Sequence, residues 1–156
     1  MKPNPIPANY PQLSPYISVS NGAAALAFYQ KAFGAEVRMC LKDPSGRIGH
    51  AEVQIGRGLL MISDPYENHT PTPEKLGGTT LTLHLYVEDV DAVIARAVEA
   101  GAKIVMPAQD QFYGDRSGRI VDPFGHIWNL ASHIEDVSPE EMDRRMAAFA
   151  TGDCAS

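Results

Sequence analysis

One pattern is written twice in this chain. Ser14 to Ser20 (SPYISVS) and Thr80 to Val87 (TLTLHLYV) alternate polar with apolar residues, the period of a half-buried strand. Each is followed at once by a helix-length segment ending in glycine, AAALAFYQKAFG after Asn21 and DVDAVIARAVEAG after Glu88. In the second, Val90, Val93, Ile94, Ala97 and Val98 share one helical face, with Asp89 or Asp91 as N-cap and Gly101 as the stop. Period two then returns three times in each half: AEVRMCL, HAEVQI and LLMIS, then AKIVM, GRIV and HIWNLA. Sliding the chain on itself by about 67 residues lays Val19 on Val87 and Gly34 on Gly101, with a slip of one residue inside the helix. Strand, helix, three strands, given twice, predicts an α+β fold of two βαβββ modules.

The rest of the chain frames that repeat. Residues 1–13 are a proline-rich extended arm. Residues 14–133 form a single domain, made of module 14–65 and module 79–133 joined by the Pro-, Gly- and polar-rich linker 66–78. Residues 134–156 are a C-terminal helix and tail, in which Ser138 is the N-cap, Pro139 the first helical residue and Glu141 the capping-box acid. Met142, Met146 and Phe149 fall on one side of that helix.

At 156 residues the chain suits one domain with a real core. A formal net charge of -6 with no Lys/Arg cluster excludes a nucleic-acid binder. The two cysteines, Cys40 and Cys154, are too few for a disulfide framework. With no signal-peptide centre and no apolar stretch long enough for a bilayer, the expected location is the cytoplasm, with no membrane partner.

A helix covers only one face of a four-stranded sheet. Alternation puts Ile17, Val19, Ala51, Val53, Ile55, Leu60, Ile62, Leu81, Leu83, Leu85, Val87, Trp128 and Leu130 beneath the helices. Ser14, Tyr16, Ser18, His50, Glu52, Gln54, Leu59, Met61, Thr82, His84, Tyr86, Ile127 and Asn129 then share the opposite face. That second set is too polar for a core and too aromatic for a solvated surface, and it reads as the wall of a ligand cavity.

The repeat, with FYQKAFGAEV, YVEDVDAVIARAVEAGAKIVMP and above all YGDRSGRIVDPFGHIWNLASHIEDVSPEE, resembles the glyoxalase/bleomycin-resistance (vicinal oxygen chelate, VOC) superfamily in its PhnB-like branch. The resemblance spans roughly Ser14 to Glu141. It implies mixed sheets forming a concave cavity, a homodimer as partner state, and in the metalloenzymes of the family a divalent metal held by His or Gln, Glu, His and Glu. Those four places fall here on Ser14, on or beside Met61, on Thr82 and on Asn129. None is a good ligand, so no metal or other cofactor is expected at the inherited place.

The expected ligand-binding residues are therefore Tyr16, His50, Glu52, Met61, Thr82, His84, Tyr86, Tyr113, Arg116 and Asn129. The expected function is binding of a small organic molecule without the inherited metal, as in resistance proteins that sequester a toxic compound. The alternative is an isomerase, lyase or dioxygenase-like enzyme using His50, Glu52 and His84 with or without a displaced metal, and no catalytic residue is assigned. As plain structural readings, Glu52 is held by Arg116 or Arg119, Asp115 and Arg116 pair with each other or with a partner subunit, Asp122 shapes a tight turn, and His126 and His133 have surface or turn roles. No nucleophile elbow or phosphate-binding glycine loop is present.

Overall fold

The computed structural model describes residues 2–151; Cys154 lies outside them. Tracing the contacts divides the chain into two compact units, one running to Thr80 and taking in Pro123–His126, the other made of Leu81–Asp122 and the chain from Ile127.

In the first unit β1 (Tyr16–Ser18), α1 (Gly22–Phe33), β2 (Glu36–Lys42), β3 (Ile48–Ile55) and β4 (Gly58–Ser63) build a sheet of order β1-β4-β3-β2, with β1 parallel to β4 and the other pairs antiparallel. Asn21 caps α1 by accepting from Ala24 N at 3.0 Å, and Gly34 ends it at φ 66, a conformation that glycine adopts without a Cβ clash. The linker contains one short helix, α2 (Pro73–Leu76), capped by Thr72 and ended by Gly77.

The second unit repeats the plan. β5 (Thr82–Tyr86), α3 (Val90–Glu99), β6 (Lys103–Asp110), β7 (Asp115–Val121) and β8 (Ile127–His133) give the order β5-β8-β7-β6, again with the first pair parallel. Of the two candidate N-caps for α3, Asp89 takes the role, accepting from Ala92 N at 2.9 Å. Val98, expected on the buried face of α3, is exposed. The helix is only ten residues long and its packed stripe of Val90, Val93, Ile94 and Ala97 is complete without it.

A last helix, α4 (Pro139–Thr151), starts where Ser138 accepts from Glu141 N. Arg145 fastens it through Glu141, Glu135 and the Phe112 carbonyl. Phe149 meets the Phe112 ring at 5.1 Å between centroids, while Met146 stays exposed. Among the described residues no helix is long and apolar enough to cross a membrane.

Face assignment by alternation holds in the main. Ile17, Val19, Ala51, Val53, Ile55, Leu60, Ile62, Leu83, Trp128 and Leu130 are all buried. Leu85 and Val87 are half-buried, and on the other face Ser18 and Glu52 are buried. Leu81 is 45% exposed because it precedes the first paired residue of β5, and Leu59, on the other face, is buried. A register shift between Leu41 and Lys42, opposite Gly49, also turns Ile48 inward, where it packs against Gly22 at the start of α1.

The two units match in detail at their switch from sheet to helix. In the first, Asp64 accepts from Gly22 N and Ile48 N at 2.7 and 2.6 Å. In the second, Ser132 sits at the corresponding strand end, accepts from Val90 N and donates to the Val87 carbonyl.

Candidate functional site

The face of each sheet that carries no helix can be followed row by row. In the first unit Tyr16 pairs with Met61, Met61 with Glu52, and Glu52 with Met39. In the second His84 pairs with Asn129, Asn129 with Arg119, and Arg119 with Met106. The rows correspond strand for strand, each with a register shift just before its methionine. Where one row has the carboxylate of Glu52, the other has the guanidinium of Arg119.

In the first unit the ionisable groups are spent on one another. Glu52 is only 4% exposed and accepts two contacts from the Tyr10 hydroxyl, at 3.1 and 3.0 Å. His50 Nε2 meets the same carboxylate at 3.2 Å, and its Nδ1 meets the Tyr16 hydroxyl at 3.1 Å. The hydrogen bond to Glu52 raises the Tyr10 phenol above its ordinary value, because ionising the phenol would set two anions side by side. Arg38 completes the clasp: its guanidinium lies 5.3 Å from the Tyr10 ring centre and donates to the Asn9 carbonyl and to Gln54. The proline-rich arm is thereby tied to this face. Ser18 and Ser63, register partners on it, are buried with hydroxyls that have no partner among the described residues.

The second unit is organised differently. Asp115, 4% exposed, accepts from Tyr86 at 2.7 Å and meets His133 Nδ1 at 2.8 Å; His133 Nε2 reaches Asp136 at 2.9 Å. Bonding to Asp136 and then to Asp115 raises the His133 pKa, and bonding to Asp115 raises that of Tyr86. Asn129 Nδ2 contacts His84 Nδ1 at 2.9 Å, and the His84 and Tyr86 rings meet edge to face at 4.7 Å. Thr82 and His84 are exposed, Tyr86 is 60% exposed, and Tyr113 lies open in the turn before β7. Arg119 Nε is buried without a partner among the described residues.

Several sequence expectations need correction. Arg116 is not on this face: its guanidinium forks onto Asp91 of α3 at 2.6 and 2.9 Å and reaches Asp110 at 2.9 Å. β7 begins as early as Asp115, so alternation turns 115, 117 and 119 one way and Arg116 toward α3. Asp115 and Arg116 consequently do not pair with each other. Glu52 is held by Tyr10 and His50, not by Arg116 or Arg119. His126 is no surface residue; it is buried, with Nε2 2.9 Å from the Ser18 carbonyl. Asp122 does hold its turn, accepting from the Trp128 indole at 3.0 Å. The residue missed from the candidate set is Arg119, which alternation from Gly118 and Ile120 would have placed opposite the helix.

The four places that hold a metal in the family's metalloenzymes carry two hydroxyls, a thioether and an amide already engaged with His84. This donor set does not fit a divalent metal. Among the described residues no three His, Cys, Asp or Glu side chains come together in a way that could hold one.

The duplicated unit and its split helix-free faces agree with what the chain resembles. The chain belongs to the Glyoxalase/Bleomycin resistance protein/Dioxygenase superfamily, whose family model matches residues 12–130. An uncharacterized protein of Mycobacterium bovis is 39% identical over 146 residues, covering 91% of this chain and 96% of that protein. The crystal structure of TioX from Micromonospora superposes with a TM-score of 0.63 at 27% identity, over 80% of this chain and 99% of that one. A structure described as PhnB protein from Bacillus cereus shares the fold, with a TM-score of 0.61 at 20% identity over 78% and 99% of the two chains.

Proposed function

We propose that the protein binds a small organic molecule on the helix-free face of its second sheet, without the family's metal, in the manner of a sequestering protein. The observation that carries this reading is the unspent face itself. Thr82, His84, Tyr86, Asn129 and Arg119 present exposed rings, a hydroxyl and a guanidinium whose Nε has no partner among the described residues. A stable protein rarely leaves a half-buried cation uncompensated unless something else supplies the charge.

An enzyme using His50, Glu52 and His84 has less support. Glu52 and His50 are engaged with Tyr10 and Tyr16 in the first unit, and His84 with Asn129 in the second. A homodimer and a cytoplasmic location complete the proposal. Exposed apolar residues on the edge strands, Met39 and Leu41 on β2 and Val105 and Met106 on β6, support the first; the acidic, cysteine-poor composition supports the second.

Native mass spectrometry of freshly purified protein tests the binding reading. A bound small molecule is expected, released or weakened in His84→Ala by about 0.5 to 1.5 kcal/mol, the worth of one hydrogen bond. Equal retention by His84→Ala and by Arg119→Gln would overturn the placement.

A further inference from the structure

The face of the second sheet has its hydrogen-bonding capacity distributed unevenly. Its buried carboxylate, Asp115, is already satisfied by Tyr86 and His133. Its donors are not. Arg119 Nε is buried and unpartnered among the described residues, and no carboxylate there meets its guanidinium. With the Asn129 amide nitrogen donating to His84 Nδ1, the tautomer that fits this contact carries the ring proton on Nε2, and His84 is exposed. Arg119 and His84 flank Asn129 in one row, two strand spacings or about 10 Å apart.

Exposed apolar groups stand beside these donors. The Tyr86 hydroxyl is turned to Asp115, which leaves its ring to the open side. Met106, 41% exposed, stands next to Arg119 in the row. Among the described residues one free cation, Arg119, serves the face, since Arg116 is committed to Asp91 and Asp110 on the helix side. One guanidinium balances one negative charge, and its fork matches a carboxylate in two parallel hydrogen bonds. A dianionic phosphonate would need a second cation.

Resting on the reading that this face holds the ligand, we propose that the ligand is a planar monocarboxylate. Its carboxylate sits on Arg119 and His84 Nε2 above Asn129, and its flat body lies against Tyr86 and Met106. The second row of the duplicated fold is thus an anion seat where the first row, with Glu52, is closed by the chain's own Tyr10.

The probes are benzoate and benzamide, of the same shape with and without the charge, titrated into the full-length protein and followed by NMR. Benzoate is expected to bind about tenfold or more tightly than benzamide, the worth of a charge-assisted hydrogen bond. Arg119→Gln should bring benzoate down to about the benzamide level, with unchanged backbone amide shifts of the first unit showing that the variant is folded. Arg119→Lys should recover part of the difference, His84→Ala should lose a smaller part, and Arg57→Gln, an exposed hairpin cation in the other unit, should change nothing. Equal binding of both probes to the native chain would overturn the carboxylate inference and leave the ligand face standing. Binding of neither would overturn both. Tighter binding of methylphosphonate than of benzoate, or benzoate binding indifferent to both Arg119→Gln and His84→Ala, would overturn the inference.

Discussion

Glu52 and Arg119 occupy the same place in two copies of one structural unit, and they are treated in opposite ways. Glu52 is buried under an arm that the chain itself supplies, with Tyr10 and His50 meeting its two oxygens. Arg119 is half-buried, with Nε unpartnered among the described residues and exposed rings nearby. Duplication supplies two equivalent faces, and a folded chain gains from satisfying buried charges. Where its own residues do so, the face becomes structure; where they do not, the face is left with unspent groups.

The core beneath the faces differs as well, and this gives the largest expected effect. Ala51 in the first unit corresponds to Gly118 in the second, each paired with the buried aliphatic residue of the neighbouring strand, Ile62 or Leu130. A Cβ on Gly118 would lie 2.7 Å from Ile94 and 3.0 Å from the Ala108 backbone nitrogen, which cannot move aside. Gly118→Val should therefore destabilise the protein by about 3 kcal/mol in denaturant unfolding. An unchanged midpoint would show that the two cores are less distinct than described.

Next in size is Glu52→Ala, which strands the Tyr10 hydroxyl and His50. A loss of about 1 to 3 kcal/mol is expected, with faster hydrogen exchange in the arm. Arg119→Gln, at the matching position, should change stability by no more than about 0.5 kcal/mol, because no internal partner is lost. Equal losses for the two variants would erase the distinction between a closed face and an open one.

The smallest effects are in pH. The Tyr10 phenol is raised by its bond to Glu52, so that bond contributes below the ordinary value of 10.0 and is lost as pH rises through the folded-state value. The arm should release in alkali, visible as a coupled titration of Tyr10 and the Asn9 amide. In the second unit Arg144 and then Arg145 hold the Glu141 carboxyl down to about 2. Its contribution is present above the ordinary 4.5 and lost as pH falls toward about 2, so α4 should fray at its first turn in acid. The opposite order, with α4 fraying in alkali and the arm releasing in acid, would contradict both assignments.

Local pattern made much of this legible in the sequence. The repeat, the cap Ser138, the narrowing of the α3 cap to Asp89 or Asp91, and most of the inward set from Ile17 to Leu130 depend on spacings of a few residues, which periodicity reports directly. The arm's role depends on Tyr10 meeting Glu52, 42 residues away, and the burial of His126 on Ser18, 108 residues away; no spacing encodes such contacts. The side taken by Arg116 was hidden for another reason. Asp115, Arg116, Ser117 and Gly118 are poor strand formers, so the strand seemed to begin only at Gly118 and Arg116 looked like a loop residue. Arg119, by contrast, lies inside GRIV, and its side follows from alternation with Gly118 and Ile120.

Two side-chain amides test the central distinction most directly, because Gln54 lies on the first unit's helix-free face and Asn129 on the second's. In a nitrogen–proton spectrum of the full-length protein titrated with a mixture of small aromatic acids, the Asn129 side-chain amide is predicted to move and saturate while that of Gln54 stays in place. Movement of Gln54 with Asn129 unmoved would contradict the account, since it would put the open face in the unit whose charges are already spent.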